Sequence, residues 1–237
     1  MSEEKEVSRR KFLKSTGLTV GGLAVGSLFG GAFIGGVKEK EVVKEVERKV
    51  PNYTEALQFF TRKEDFEVLT AATEIIYPED ENGPGAIGLG VPYYIDKQLA
   101  GPWGKNSEDY MVKPFQEGDT PLTRGDIMLE GVRKLNEVSR EKHKEVFGSL
   151  KEEEQIAILQ GFESGNIKLA LVSPVVFFTL LRNLTIEGCY SDPLYGGNKN
   201  MEGWKMKEYP GVHMSHIDVV ESSEFVKKRQ MSLSDMH

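Results

Sequence analysis

Cysteine is almost missing from this chain: Cys189 is the single one in 237 residues. One thiol excludes an intrachain disulfide, a four-cysteine cluster site and a Cys-x-x-Cys-His haem attachment. Histidine is scarce as well, with four in all, and no persuasive Ser–His–Asp set assembles from them. Ser27 and Ser164 each neighbour a glycine but lack the nucleophile-elbow pattern. No Gly-x-Gly-x-x-Gly follows a strand and no Gly-x-x-x-x-Gly-Lys loop occurs, so the usual dinucleotide and phosphate cradles are unsupported. A basic surplus is lacking too. The net charge of −7 argues against general nucleic-acid binding, which needs a cationic face to neutralise phosphates. No run of alternating apolar residues marks a sheet.

What is present begins with Ser8-Arg9-Arg10-Lys11-Phe12-Leu13-Lys14, a twin-arginine export signal in which Arg9, Arg10, Phe12 and Leu13 are the recognition residues. An uncharged run follows over residues 15–37. As a helix its 23 residues extend roughly 34 Å, enough for a hydrocarbon core of about 30 Å. No Ala-x-Ala site precedes Lys38, which favours a retained anchor over a cleaved signal, and Gly22, Gly26 and Gly30 put a smooth ridge on one helix face. Residues 38–52 alternate Lys, Arg and Glu around Val42, Val43 and Val46, as in a charged helical stalk or a disordered spacer. The domain organisation is thus 1–37 signal and membrane anchor, 38–52 stalk, and 53–237 exported domain on the outer face of the cytoplasmic membrane.

That domain reads as mainly α, a compact helical unit with an irregular, turn-rich C-terminal segment. Thr61 and Glu64 have capping-box spacing before a stripe of Phe66, Leu69, Thr73 and Ile76 that Pro78 stops. Val91-Pro92 restarts a helix that Gly101-Pro102 ends. A third runs from near Thr123 to about Lys144 on Ile127, Leu135 and Val138, and a fourth from Lys151 to about Glu163 on Ile156, Leu159 and Phe162. Ser173-Pro174 opens a fifth whose run 175–184 is apolar nearly all round, which places it at the bundle centre, buried on most of its surface. Two further places carry ligand chemistry. Glu79, Asp80, Glu81 and Asn82 have calcium-binding side chains without EF-hand spacing, and His213 and His216 lack partners to complete a metal set.

Residues 188–211 combine turn formers with aromatics in a segment too punctuated for a helix. Asp192-Pro193 favours a turn, and Gly196-Gly197-Asn198 supplies positions that take positive φ cheaply. Tyr190, Tyr195, Trp204 and Tyr209 each join an apolar body to a polar tip. Two readings stand: a loop pinned to its own core by these aromatics, or a loop shaped for a partner. Cys189 is likewise either a buried thiol or a bridge to another subunit.

The run Glu187-Gly188, Ser191-Asp192-Pro193, Tyr195-Gly196-Gly197-Asn198, Gly203-Trp204-Lys205 and Tyr209-Pro210-Gly211 resembles the gluconate 2-dehydrogenase subunit 3 family, small subunits of membrane-associated flavin dehydrogenases. The resemblance extends more weakly upstream to about Phe59. It departs at Glu208, where a glycine is expected, and at Cys189, where an aromatic or other apolar residue is commoner. It implies a non-catalytic chain without a cofactor of its own. Its partners would be a large FAD subunit of the glucose-methanol-choline type and a multihaem cytochrome c. Ser191, Asp192, Tyr195, Gly196, Gly197, Asn198, Trp204, Tyr209, Pro210 and Gly211 would then contact the flavoprotein. The export signal fits this picture, because the twin-arginine route carries folded cargo and this chain shows no cofactor motif. The competing expectations are a stand-alone exported enzyme, with its site in 79–90 or around His213 and His216, and a membrane-tethered binding module for a small ligand.

Overall fold

The computed structural model describes residues 55–107, 122–217, 219–224 and 226–236. The export signal, the anchor and the stalk lie outside the described residues. Among those described, no helix is long and apolar enough to cross a membrane, and the regular structure is helical throughout.

Five helices form the bundle: α1 (Lys63–Ile76), α2 (Val91–Ala100), α3 (Arg124–His143), α4 (Glu152–Glu163) and α5 (Pro174–Tyr190). A short α6 (Glu202–Met206) follows in the C-terminal segment. Helix α1 buries Phe66, Leu69, Thr73 and Ile76 at the expected spacing. Its start corrects the sequence reading: the cap is Arg62, without a side-chain bond, not a Thr61–Glu64 box. Two remote groups explain the difference. The buried Asp96 carboxylate accepts the backbone N–H groups of Gln58, Phe59 and Phe60 at 2.6, 3.0 and 2.9 Å, fixing the approach to the helix. Glu64 turns instead to α3, accepting from Asn136 Nδ2 at 2.6 Å and from Arg140. Beside it Asp65 pairs with Arg133 at 3.0 Å, so α1 and α3 are cross-linked by charge as well as packing.

Helix α3 has the reciprocal cap that α1 lacks, with Thr123 and Asp126 each accepting from the other's backbone. Helix α4 begins on three consecutive glutamates, favourable at the positive end of the helix dipole. The fifth helix touches α1, α2, α3, α4 and α6, which makes it the axis of the bundle. Phe177 is fully buried there, edge-on to Phe162 at 5.2 Å and over Gly131 of α3, where any side chain would collide with its ring. The expectation of burial on most sides needs correcting, however. Phe177, Phe178, Leu181, Leu184 and Thr185 face inward, while Val175, Val176, Thr179, Asn183 and Ile186 are exposed.

Candidate functional site

The C-terminal segment grows out of α5, and Gly188, Cys189 and Tyr190 form its last helical turn rather than a loop. The helix continues because Gly188 presents no side chain to α2: a Cβ there would lie 2.8 Å from the Tyr94 ring. Ser191, extended, ends the helix, and Asp192 caps a 3₁₀ turn, Pro193–Tyr195, by accepting the Leu194 N–H at 2.9 Å. Gly196 takes φ +92°, and Gly197 passes so close to the Gly188 carbonyl that no Cβ fits.

Asn198 locks this reversal. It sits at φ +45° with no exposed surface. Its N–H donates to Gly188 O, its Nδ2 to Ser191 O, and its Oδ1 accepts the Gly203 N–H, each at 2.8 Å. One side chain therefore joins the end of α5 to the start of α6, and Gly203 abuts the Cys189 carbonyl where a Cβ would collide. Trp204, 5 % exposed, donates its indole N–H to Tyr190 O at 2.8 Å and stacks edge-on with Tyr209 at 5.3 Å. The Tyr190 hydroxyl meets that of Tyr77 at 2.8 Å, and Lys207 lies 5.6 Å from the Tyr190 ring centre. Lys199 N–H reaches Leu89 O at 3.1 Å, so the 79–90 loop packs against the same segment.

A C-terminal strap closes the far edge. Met231 bridges Gly211 in parallel: Met231 N–H donates to Pro210 O at 3.0 Å and Val212 N–H to Met231 O at 2.9 Å. Asp192, already capping its own turn, accepts Ser232 Oγ–H at 3.1 Å and Leu233 N–H at 2.8 Å. Nothing in the local sequence announces this contact, which spans 40 residues.

The sequence-predicted site residues therefore divide by direction. Asp192, Gly197, Asn198, Trp204 and Gly211 are buried and brace backbone; Ser191, Gly196 and Pro210 are half-buried. Tyr195 and Tyr209 face solvent at 50 % and 48 % exposure, joined by Leu194 at 59 %, which the sequence reading did not single out. Its position between proline and tyrosine in a capped turn is the signal that was there to use. The Cys189 thiol is buried, on the inner side of α5.

Electrostatics concentrate where α5 meets α2. Burial, the Glu187 carboxylate and the bond donated to it together push the Tyr94 phenol up to about 12. Burial also raises Glu187, against the opposing effect of the Tyr94 hydroxyl. Two carboxylates brace the 79–90 loop, Glu74 from the end of α1 and Asp80 from within. Glu74 accepts Glu79 and Ile87 N–H at 3.2 and 2.8 Å, and Asp80 accepts from Asn82. His213 Nε2 pairs with Arg229 O at 3.0 Å, and the rings of His213 and His216 are 5.8 Å apart. Among the described residues no three metal-ligating side chains converge. The groove between α1 and α3 is lined by paired charges, including Arg62, Glu64, Asp65, Arg133 and Arg140.

Residues 63–211, well over half of the chain, match the family model described as Gluconate 2-dehydrogenase subunit 3. The match ends at Gly211, where the braced segment ends and the strap begins. Comparison with curated proteins and with solved structures gives no match.

Proposed function

Since the chain belongs to the gluconate 2-dehydrogenase subunit 3 family, we propose that it is the non-catalytic accessory subunit of a heteromeric, FAD-dependent gluconate or sugar dehydrogenase. The large subunit, of the glucose-methanol-choline type, holds the FAD and oxidises the substrate. A cytochrome c subunit takes the electrons onward. This chain supplies the twin-arginine signal, the attachment to the outer face of the cytoplasmic membrane, and a rigid platform that supports the flavoprotein.

The family match over the braced segment carries the reading. It is supported by what that segment presents: an internally satisfied scaffold with Leu194, Tyr195 and Tyr209 held outward, the amphipathic kind of surface that protein interfaces favour. The export argument has its own physical basis. A flavin must be inserted before a folded protein crosses, and a partner without a signal can travel with a chain that has one. Replacing Arg9 and Arg10 together with lysine tests this in cells that make the whole complex. The flavoprotein is expected to remain in the cytoplasm, and its normal export would overturn the reading.

A further inference from the structure

Asn82-Gly83 is the one Asn-Gly pair in the sequence, and that pairing is the most labile setting for a thermolabile residue. Glycine has no side chain to hold its backbone nitrogen away from the asparagine side-chain carbon, so the two close readily to a cyclic imide. The pair sits on the surface, with Asn82 exposed and Gly83 half-buried. Asn106, followed by the small Ser107, is braced instead: its side-chain oxygen accepts the backbone and guanidinium N–H groups of Arg124, both at 3.1 Å.

One residue holds both reacting groups of the Asn82-Gly83 pair. The Gly83 N–H, on the nitrogen that must attack, donates to Asp80 O at 3.0 Å, and Gly83 O accepts the Asp80 N–H at 3.2 Å. The Asn82 side-chain amide, the group that must leave, donates through Nδ2 to Asp80 Oδ1 at 3.2 Å. The same oxygen accepts the Asn82 backbone N–H at 2.9 Å. Neighbours keep this turn closed. Glu74 clasps the loop on either side of it, at Glu79 and Ile87. Ala86 N–H donates to Tyr77 O at 2.8 Å, and Met206 occupies the space beside Gly83 where a β-carbon would sit. A nitrogen whose proton is given to Asp80 O is neither deprotonated nor turned toward the Asn82 side chain. Ring closure therefore waits for the turn to open.

We propose that Asn82 is a site of spontaneous deamidation whose rate is set by opening of the turn that Asp80 closes. In the open turn the Gly83 nitrogen attacks Asn82 Cγ. The N–Cγ bond forms, the Cγ–Nδ2 bond breaks, and the amide leaves as ammonia with the proton from Gly83. A water molecule then opens the imide. Cleavage between the Gly83 nitrogen and Cγ leaves aspartate, whereas cleavage at the main-chain carbonyl leaves isoaspartate and routes the backbone through an extra methylene. Either product adds a negative charge beside Glu79, Asp80 and Glu81. Isoaspartate also shifts Gly83 relative to Asp80, so their paired bonds are lost. The change reaches the braced segment, because Met206 of α6 packs at Gly83 and Leu89 O of the same loop accepts the Lys199 N–H. The inference needs no partner and stands apart from the accessory-subunit reading.

The test incubates the full chain at neutral pH, folded in buffer and unfolded in guanidinium, and follows residue 82 by peptide mass spectrometry. Isoaspartate is separated from aspartate by its labelling with an isoaspartyl methyltransferase. The folded chain is expected to convert at Asn82 before Asn106 or Asn198. It should do so about tenfold or more slowly than in guanidinium, the factor that a hydrogen bond to a charged group in the closed turn supplies. Asp80→Ala is expected to bring the folded rate most of the way to the unfolded one. No conversion at Asn82 in guanidinium, or earlier conversion at Asn106 or Asn198 in the fold, overturns the site. Equal rates in buffer and guanidinium, or an unchanged rate in folded Asp80→Ala, overturn the control by the turn. Should Asp80→Ala not fold, exchange of the Gly83 amide in the parent decides. Its slowing relative to the unfolded chain must match that of deamidation, and a free, fast-exchanging Gly83 amide overturns the inference.

Discussion

Glu208 holds φ at +51°, in the left-handed region where its β-carbon crowds the following carbonyl. The family resemblance leads to an expectation of glycine at this position, and the positive φ gives that expectation a physical reason. The strain is about 1–2 kcal/mol, and a glycine here would relieve it while adding about 0.5–1 kcal/mol of chain entropy to the unfolded state. The ion pair between Glu208 and Lys227 is 3.3 Å long and almost fully solvated, so its loss matters little. Glu208→Gly is therefore expected to stabilise the chain by up to about 1 kcal/mol, a rise of about 2–4 °C in melting midpoint for a domain of this size. A lowered midpoint would show that the exposed pair outweighs the backbone. The same geometry clarifies Gly196-Gly197-Asn198. Gly196 and Asn198 use positive φ, as their composition suggests, whereas Gly197 is required by its contact with the Gly188 carbonyl.

Between elements, the contact of α2 with the end of α5 governs how stability responds to alkali. Tyr94 has its ordinary value of 10.0 raised to about 12 in the fold. From pH 10 to 12 the folded chain keeps a proton that the unfolded chain has released. This contribution is fully present below pH 10 and is lost as pH rises through 12, at up to about 1.4 kcal/mol per pH unit. Tyr94→Phe should flatten that part of the decline, measured by urea unfolding at pH 9 and pH 11. Parallel curves for the parent and Tyr94→Phe would show that burial and Glu187 do not hold the phenol protonated. Such couplings are hidden from a linear reading, and so are the other features that the sequence misplaced. Helices α1 to α5 were legible because apolar spacing, proline and glycine are local signals. The cap of α1 was not, because Asp96 and Arg140, remote in sequence, decide where the chain turns and where Glu64 points. Gly188 to Tyr190 read as loop because glycine weakens a helix, yet here glycine is what lets α5 approach the Tyr94 ring. The aromatics of the braced segment were recognisable as a group. Which of them turn inward depended on the indole bond to Tyr190 and on the strap, and neither has a local signature.

At the scale of the whole molecule, the helical bundle and the C-terminal strap are two layers of unequal importance. The bundle has a continuous apolar core from Phe60 to Cys189, whereas the strap is held mainly by hydrogen bonds to Asp192, Tyr209, Pro210 and Val212. Each such bond contributes about 0.5–1.5 kcal/mol net, less the entropy of ordering the tail. Deleting residues 230–237 should therefore cost only about 1–3 kcal/mol and leave the bundle folded. The loss should also be local. Asp192 would retain the Leu194 N–H from its own turn and meet water in place of Ser232 and Leu233. Amide exchange is thus expected to quicken at Leu194, Tyr195 and Val212 while the amides of α1 and α3 keep their protection. Uniformly faster exchange through α1 and α3 would mean that the strap belongs to the same cooperative unit as the core. Confined exchange would place the cooperative boundary at the end of the braced segment, close to Gly211, where the family match also stops.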